Sequence, residues 1–472
     1  MLVYPAGIPT GASGFVVENS VYFDGTADRL TFDPSGATSN PDLYCLSYWA
    51  KRGRIGGADE NVMSGGRSGF DSTIRYTNYS SYRDAIQFYA NGGPDRIITN
   101  AAFSDPTAWH HVFARYDSNA SGGSSDYMQL WVNGVRISSF ADSGMPSAGE
   151  DSTFFDGNII GVGGYNLSAQ QWFAGYLAEV AASDGQDHAA TDFGEFDDNG
   201  VWIPKDITGL SYGTNGFLLQ FKQTGSGQDA SGIGADTSGN NNHFAIAGGS
   251  PQNQQVTDTC TDKAASDIGN YATLNPIYMV SGFVSADLSN GNLTADSANT
   301  GSGNARHAVA TIPIPRSGKW AAKMTYNSGN WLAFGVGENG TYPGTPSGPF
   351  QDSTFDGFYQ DPSDLDVYDS GSAASTGHTK LSAGQYSEIL VDVDANTIKV
   401  YVQGSQVGST ITNISATNPV FVLFLEWSNV TLDFGQSGYT PTDTSYKALN
   451  TANLPAPTVT DPSAYFGILT WQ

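Results

Sequence analysis

The sequence predicts an all-β protein built from two tandem antiparallel β-sandwiches, and three observations predict it. The first is the stretch Trp109 to Arg136, WHHVFARYDSNASGGSSDYMQLWVNGVR, in which two runs of alternating apolar and polar residues flank a Gly/Ser-rich connector. That is the pattern of adjacent strands with one buried face. Its second run ends on Asn133-Gly134, a pair that tolerates the positive φ of a type I′ hairpin turn. The second observation is composition: 57 Gly against 20 Lys+Arg, with 12% aromatic and only 14% charged residues, describes a turn-rich β protein with real cores. The third is length, because 472 residues exceed what one core usually serves.

Charge and hydropathy exclude several function classes. A formal net charge of −26 repels phosphate backbones and anionic membranes, so a nucleic-acid partner is not expected. No apolar run approaches the length of a membrane span. The N-terminus, MLVYPAGIPTGASGF, has no basic region followed by an apolar one, so ordinary secretion is not expected. The two cysteines, Cys45 and Cys260, are far apart, and Cys45 sits in an apolar run that favours a buried free thiol over a bridge.

Taken in order, residues 1–18 form a Pro/Gly/Ala arm. A first sandwich spans 19–183. Ser20 to Phe32 supplies two short strands around Asp24-Gly25, and Leu43 to Arg52 a buried strand. Residues 54–84 read as looser, and Ala85 to Tyr89 and Arg96 to Thr99 resume strand character. Asn158 to Val162 and Trp172 to Val180 complete the set. Residues 184–268, rich in Asp, Gly, Asn and Gln, are a connector that returns strands such as Phe217 to Phe221 to the first sandwich. A second sandwich spans 269–440, with a hairpin at Asn290-Gly291. Its further strands are Ala308 to Pro313, Gly318 to Tyr326, Trp331 to Val336, Tyr386 to Asp392, Thr397 to Val402 and Pro419 to Phe434. The proline-containing segment 441–472 is a largely irregular tail.

Several of these motifs carry resemblances. Phe23-Asp24-Gly25, Ser47-Tyr48-Trp49, Trp109-His110-His111-Val112, Leu130 to Val135 and Phe173 to Val180 (FAGYLAEV) together resemble the laminin G-like, concanavalin A-like jelly roll. That family implies two packed antiparallel sheets with ligands held by rim loops or on the concave face. Ser317-Gly318-Lys319-Trp320, Asp394 to Gly404 and Val430 to Gly435 resemble the SPRY domain, a jelly-roll-like sandwich used for recognition, although Gln403-Gly404 stands where that family has Asn-Gly. The whole arrangement, from SYWAKRG through GEFDDNGVWIPK and DTSGNNNHF to YKALNTANLPAPTVTDPSAYF, is similar to lectin-like virion proteins of tailed phages, particularly those infecting marine bacteria. The resemblance implies a virion part, a tail fibre, appendage or capsid decoration. It would be made in the host cytoplasm, released by lysis, docked on other virion proteins, homo-oligomeric with a trimer favoured, and turned toward host-surface glycans.

Catalytic chemistry has weak support. Glu195 and Asp197 share a strand face and are the best carboxylate pair for glycan hydrolysis, but Asn199-Gly200 follows where a glucanase pattern wants a further acid, and a solvated turn is the simpler reading. His110 and His111 are adjacent, so on a strand they point to opposite faces and cannot share an ion; a structural role is expected. No catalytic residue is assigned and no cofactor is required. Calcium is the one possible ion, with Asp352, Asp356, Asp361, Asp364 and Asp366, or Asp236 with Asn240 and Asn242, as oxygen donors that are also ordinary turn formers. Sugar recognition wants aromatic faces with amides and carboxylates beside them. Tyr76, Tyr79 and Tyr82 form one candidate group, read as loop aromatics. Trp331, Tyr342 and Tyr359, with Phe350, form the other, flanking a long loop of the second sandwich. Each aromatic taken singly has a competing place in a core. The function expected is non-enzymatic glycan adhesion by a structural virion protein, against a polysaccharide depolymerase or a decoration without ligand.

Overall fold

The computed structural model describes residues 14–34, 36–67, 70–78, 81–168, 170–280, 287–297, 306–339 and 352–455. The architecture is all-β. Two eight-stranded sheets form the first sandwich. One runs in spatial order Val135–Arg136, Met128–Val132, His110–Asp117, Leu43–Arg52, Ala174–Asp184, Ser20–Asp24 and Gln255–Val256, with Phe217–Leu219 also on Ala174–Asp184. The other runs Phe140–Gly144, Arg96–Ala102, Ala85–Tyr89, Phe70–Thr77, Glu60–Arg67, Ile160–Val162, Arg29–Phe32 and Ala245–Gly248. Residues between 217 and 256 thus place strands in both sheets.

The strand Leu43–Arg52 shows why its sequence is apolar almost throughout. Tyr44, Leu46, Tyr48 and Ala50 enter the core between the sheets. Their neighbours Cys45 and Trp49 face outward, where they are covered by Ala190, Phe193, Ile207 and Tyr212 in one patch and by Val17, Trp202 and Cys260 in another. A strand buried on both faces needs no polar alternation. Both cysteines are free and buried.

The opening stretch forms as its pattern predicts. His110–Asp117 pairs antiparallel with Met128–Val132, and the turn places Asn133 at φ 47° and Gly134 at φ 75°. A side chain at Gly134 would meet the Trp202 ring. Residues 54–84 are a correction. Glu60–Arg67 and Phe70–Thr77 are paired strands in the middle of a sheet, not a loose segment.

The second sandwich is one 13-stranded sheet folded on itself. Its spine is the 20-residue strand Lys319–Glu338, which pairs with Pro419–Asp433 along nearly its whole length. Tyr386–Asp392, Thr397–Val402 and Ser405–Ile411 extend the sheet beside the first half of the spine. Asp356–Gln360, Leu365–Asp369 and Ser372–His378 extend it beside the second half. The two extensions meet: a Cβ on Gly408 would lie 2.9 Å from the Val367 side chain. Leu332, Phe334, Val336, Phe358, Met324, Ile389 and Val400 fill the core. Over its described part, residues 441–455, the tail packs against the second sandwich, with Tyr446 and Leu449 buried and Lys447–Ala448 pairing in parallel with the spine. Among the described residues no helix is long and apolar enough to cross a membrane.

Candidate functional site: an aromatic and acidic sheet face

The spine and its neighbours build one face from residues distant in sequence. Antiparallel register sets Ala333 opposite Tyr359, and Tyr359 opposite Asp366. On the other side Ala333 faces Phe424, and Phe424 faces His307. Two residues along the spine, Trp331 stands opposite Glu426. Because side chains alternate along a strand, this face is the reverse of the one that sends Leu332, Phe334 and Phe358 into the core.

Trp331, Tyr359, Tyr368, Glu426 and Asp366 are each half-buried on it. Trp331 lies against Trp427, ring centroids 5.4 Å apart and planes tilted by 49°, and Tyr359 meets Tyr368 edge-on at 6.3 Å. Burial first, then the charges of Asp361, Glu426 and Asp366, push the Tyr359 phenol well up, so it stays a neutral donor. Aromatic rings ringed by carboxylates can take the C–H face of a sugar on the rings and its hydroxyls on the acids.

Of the residues expected from sequence, Trp331 and Tyr359 are brought together here. Tyr342, like Phe350, lies outside the described residues, as does Tyr79 of the other group. Tyr76 is a correction. It is fully buried, and its hydroxyl bonds His110 Nε2 at 2.5 Å. Its ring carries the Arg52 guanidinium at 4.4 Å, itself paired with Glu60 at 2.7 Å and Asp84 at 2.8 Å. Ser72, Ile74 and Tyr76 share the inward face of Phe70–Thr77, so the ring cannot reach a ligand. Tyr82 is half-exposed, and Tyr76 does not join it in a surface patch. Sequence reading missed Glu426, Trp427 and Tyr368. The alternation in LDVYD and the long run PVFVLFLEWSNV were the available signals.

The remaining polar candidates serve the scaffold. His110 and His111 are buried on opposite faces of their strand, each held near pKa 3 chiefly by burial. His111 accepts the Trp202 indole N–H at Nδ1 (3.1 Å), so its Nε2–H donates to Ser47 Oγ (2.8 Å). Asp197 closes its own turn by accepting from the backbone of Asn199 and Val201, while Glu195 is exposed. Asp236 accepts from the backbone of Leu218, Ser238 and Asn242, and Asn240 and Asn242 donate to Gly216 O. Asp356 and Asp366 correct a loop reading, since both lie in strands. Asp356 accepts from the backbone of Ser370 and Ser415, and Asp352 and Asp361 cap local turns. Among the described residues no group of three or more His, Cys, Asp or Glu is gathered as a metal site.

With this geometry in place, comparison with known proteins gives a family match. Residues 24–187 match the concanavalin A-like lectin/glucanases superfamily, in its laminin G form. The first sandwich carries a concanavalin A-like jelly roll. Among curated protein sequences nothing matches the chain. Similar solved structures include a Bacteroides ovatus protein described as carbohydrate binding, at 14% identity and TM-score 0.35, covering 50% of this chain and 59% of that one. Domains LG4-5 of the mouse laminin alpha1 chain are similar at 9% identity and TM-score 0.29, covering 89% and 85%. The SPRY domain of human HERC1 is similar at 13% identity and TM-score 0.26, covering 34% and 96%.

Proposed function

We propose that the protein is a non-enzymatic, glycan-binding part of a tailed-phage virion, a fibre, appendage or capsid decoration, which holds host-surface saccharide on the sheet face around Trp331 and Tyr359. The observation that carries the binding reading is the juxtaposition of Trp331, Tyr359 and Tyr368 with Glu426 and Asp366 on one half-buried face. The superfamily matched by residues 24–187 is named for lectins and glucanases, which supports a lectin-like role. The virion assignment, with its virion partners and a trimeric state, is supported by the sequence resemblance to lectin-like phage proteins. A net charge of −26 favours neutral glycans over sulfated or phosphorylated ones.

A glycan array probed with the wild type, Trp331→Ala and Tyr359→Ala tests the binding reading. Loss of one stacking ring is expected to weaken retained hits about tenfold, the equivalent of about 1.4 kcal/mol. Hits that both variants keep unchanged would remove the sheet face from the proposal. New reducing ends released from host polysaccharide would replace it with a depolymerase. Light scattering of the same sample reads the trimer, and antibody labelling of particles reads the virion position.

A further inference from the structure

The two sandwiches leave a cleft of about 190 Å³ between them. One wall is Tyr22 and Gln255 of the first sandwich, and the other is Asn290, Lys323, Thr325 and Asp433 of the second. The walls are tied beside the cleft, where the Tyr176 hydroxyl donates to Gly291 O at 2.8 Å and the Tyr22 ring meets Tyr176 edge-on at 6.0 Å.

The lining has the mixed character a sugar ring presents. Val256, Leu293 and Leu432 give apolar surface beside the Tyr22 ring. Some of the polar groups are uncommitted, whereas Asn290 spends its Nδ2 on Thr294 Oγ1 at 2.9 Å and Thr431 Oγ1 meets Thr294 Oγ1 at 3.0 Å. The Tyr22 and Thr325 hydroxyls have no hydrogen-bond partner among the described residues, and Gln255 spends only its Nε2, on Phe221 O. Asp433, by contrast, is saturated: it takes Lys323 Nζ at 3.2 Å, Gly435 N at 2.9 Å and the Ser437 hydroxyl. The only cation in the lining is therefore neutralised, and its ammonium also sits 4.7 Å above the Tyr439 ring. A neutral wall inside a strongly acidic protein disfavours phosphate, sulfate and carboxylate ligands. The volume lies below the roughly 300–1,000 Å³ of sites for larger ligands, which leaves room for one ring.

From these observations we infer that the cleft between the sandwiches is a second binding site, for a neutral hexose-sized saccharide or the end of a glycan chain, held by the Tyr22, Thr325, Gln255 and Asn290 polar groups. The site does not require the Trp331 face to bind anything. Both sandwiches supply its walls, so a bound sugar bridges them.

Saturation-transfer NMR with neutral methyl glycosides of glucose, galactose, mannose and N-acetylglucosamine tests it, using the wild type, Trp331→Ala, Tyr22→Phe/Thr325→Val and the cleft-filling Thr325→Leu. At least one glycoside is expected to bind Trp331→Ala as it binds the wild type. Loss of two hydroxyls in Tyr22→Phe/Thr325→Val is expected to weaken that binding by about tenfold or more, and Thr325→Leu to abolish it. Should either cleft variant lose its fold by circular dichroism, the other carries the test. Binding unchanged in a folded cleft variant, or no glycoside bound by Trp331→Ala, overturns the second site; the glycan array on Trp331→Ala and Tyr359→Ala judges the sheet face separately.

Discussion

At the residue scale, buried ionisable groups pull the pH response in opposite directions. Glu179 is 4% exposed on a bulge of Ala174–Asp184, at φ 47°, and both of its oxygens accept from Gln220 Nε2 at 3.1 and 3.2 Å. Burial raises its pKa to about 7. A carboxyl whose folded pKa is raised contributes stability below its unfolded pKa, and that contribution is lost as pH rises through the folded value. Glu179→Gln is therefore expected to stabilise the protein at pH 8, by up to about 3 kcal/mol, with the gain vanishing near pH 4.5; urea unfolding at the two pH values reads it, and an equal effect at both would refute the assignment. His110 and His111 act oppositely, since burial lowers their pKa to about 3 and stability is lost as pH falls from 6.5 toward that value. The structural role of these histidines was legible from adjacency on a strand. The burial of Tyr76 was not, because residues 71–77 have only Ile74 and Tyr76 as apolar side chains, and the stretch reads as polar unless its partners are known.

At the element scale, the spine of the second sandwich decides how the candidate face is assembled. Its sequence reads as two strands broken at Asn327-Ser328-Gly329-Asn330, because four exposed polar and small residues look like a loop. The chain instead continues through them, with a register shift between Tyr326 and Ser328 and Gly329 at φ 122°. Only the long pairing with Pro419–Asp433 reveals this, and pairing partners are absent from a single strand's pattern. The strands between Asp356 and His378 were missed for a related reason, since Asp and Ser there suggest turns. The Gln403-Gly404 turn, by contrast, keeps the geometry expected of Asn-Gly, with φ of 48° and 76°. A Cβ at Gly329 would lie 2.2 Å from Trp427 O and 2.3 Å from Ser428 Cα. Gly329→Ala is thus expected to cost about 1–3 kcal/mol of stability and, by displacing the strand that carries Trp427, to weaken glycan binding at the Trp331 face. A urea titration beside a glycan titration reads both effects. Unchanged binding in a destabilised variant would separate the bend from the site.

At the scale of the whole molecule, a buried ion pair that no sequence motif announced sits where the two sandwiches meet. Lys51, on Leu43–Arg52, and Asp258, which follows Gln255–Val256, meet at 2.5 Å with side-chain exposures of 1% and 0%. Lys51 Nζ also donates to Asn270 Oδ1 at 2.9 Å and Tyr271 O at 3.2 Å, and lies 4.7 Å over the Tyr176 ring. Asp258 further accepts from the Trp109 indole at 3.0 Å. Burial pulls the Lys51 pKa down and pushes that of Asp258 up, so each charge persists through the other. All-β class and two sandwiches were legible because alternation and turn chemistry are local. The joint was not, because its partners are separated by 207 positions and Lys51 reads as the polar end of a strand. Removing one partner leaves the other charge buried and unpaired, at a cost of about 3–5 kcal/mol, while replacing both with apolar residues restores much of that loss. Lys51→Met is expected to lower the urea midpoint strongly and Lys51→Met/Asp258→Leu to recover at least half of the difference. Because Lys51 reaches the first sandwich, the connector and the second sandwich, calorimetry is expected to show one transition for the wild type and two for Lys51→Met. A single transition in Lys51→Met, merely shifted to lower temperature, would mean that the sandwiches are coupled through the rest of their interface and not through this pair.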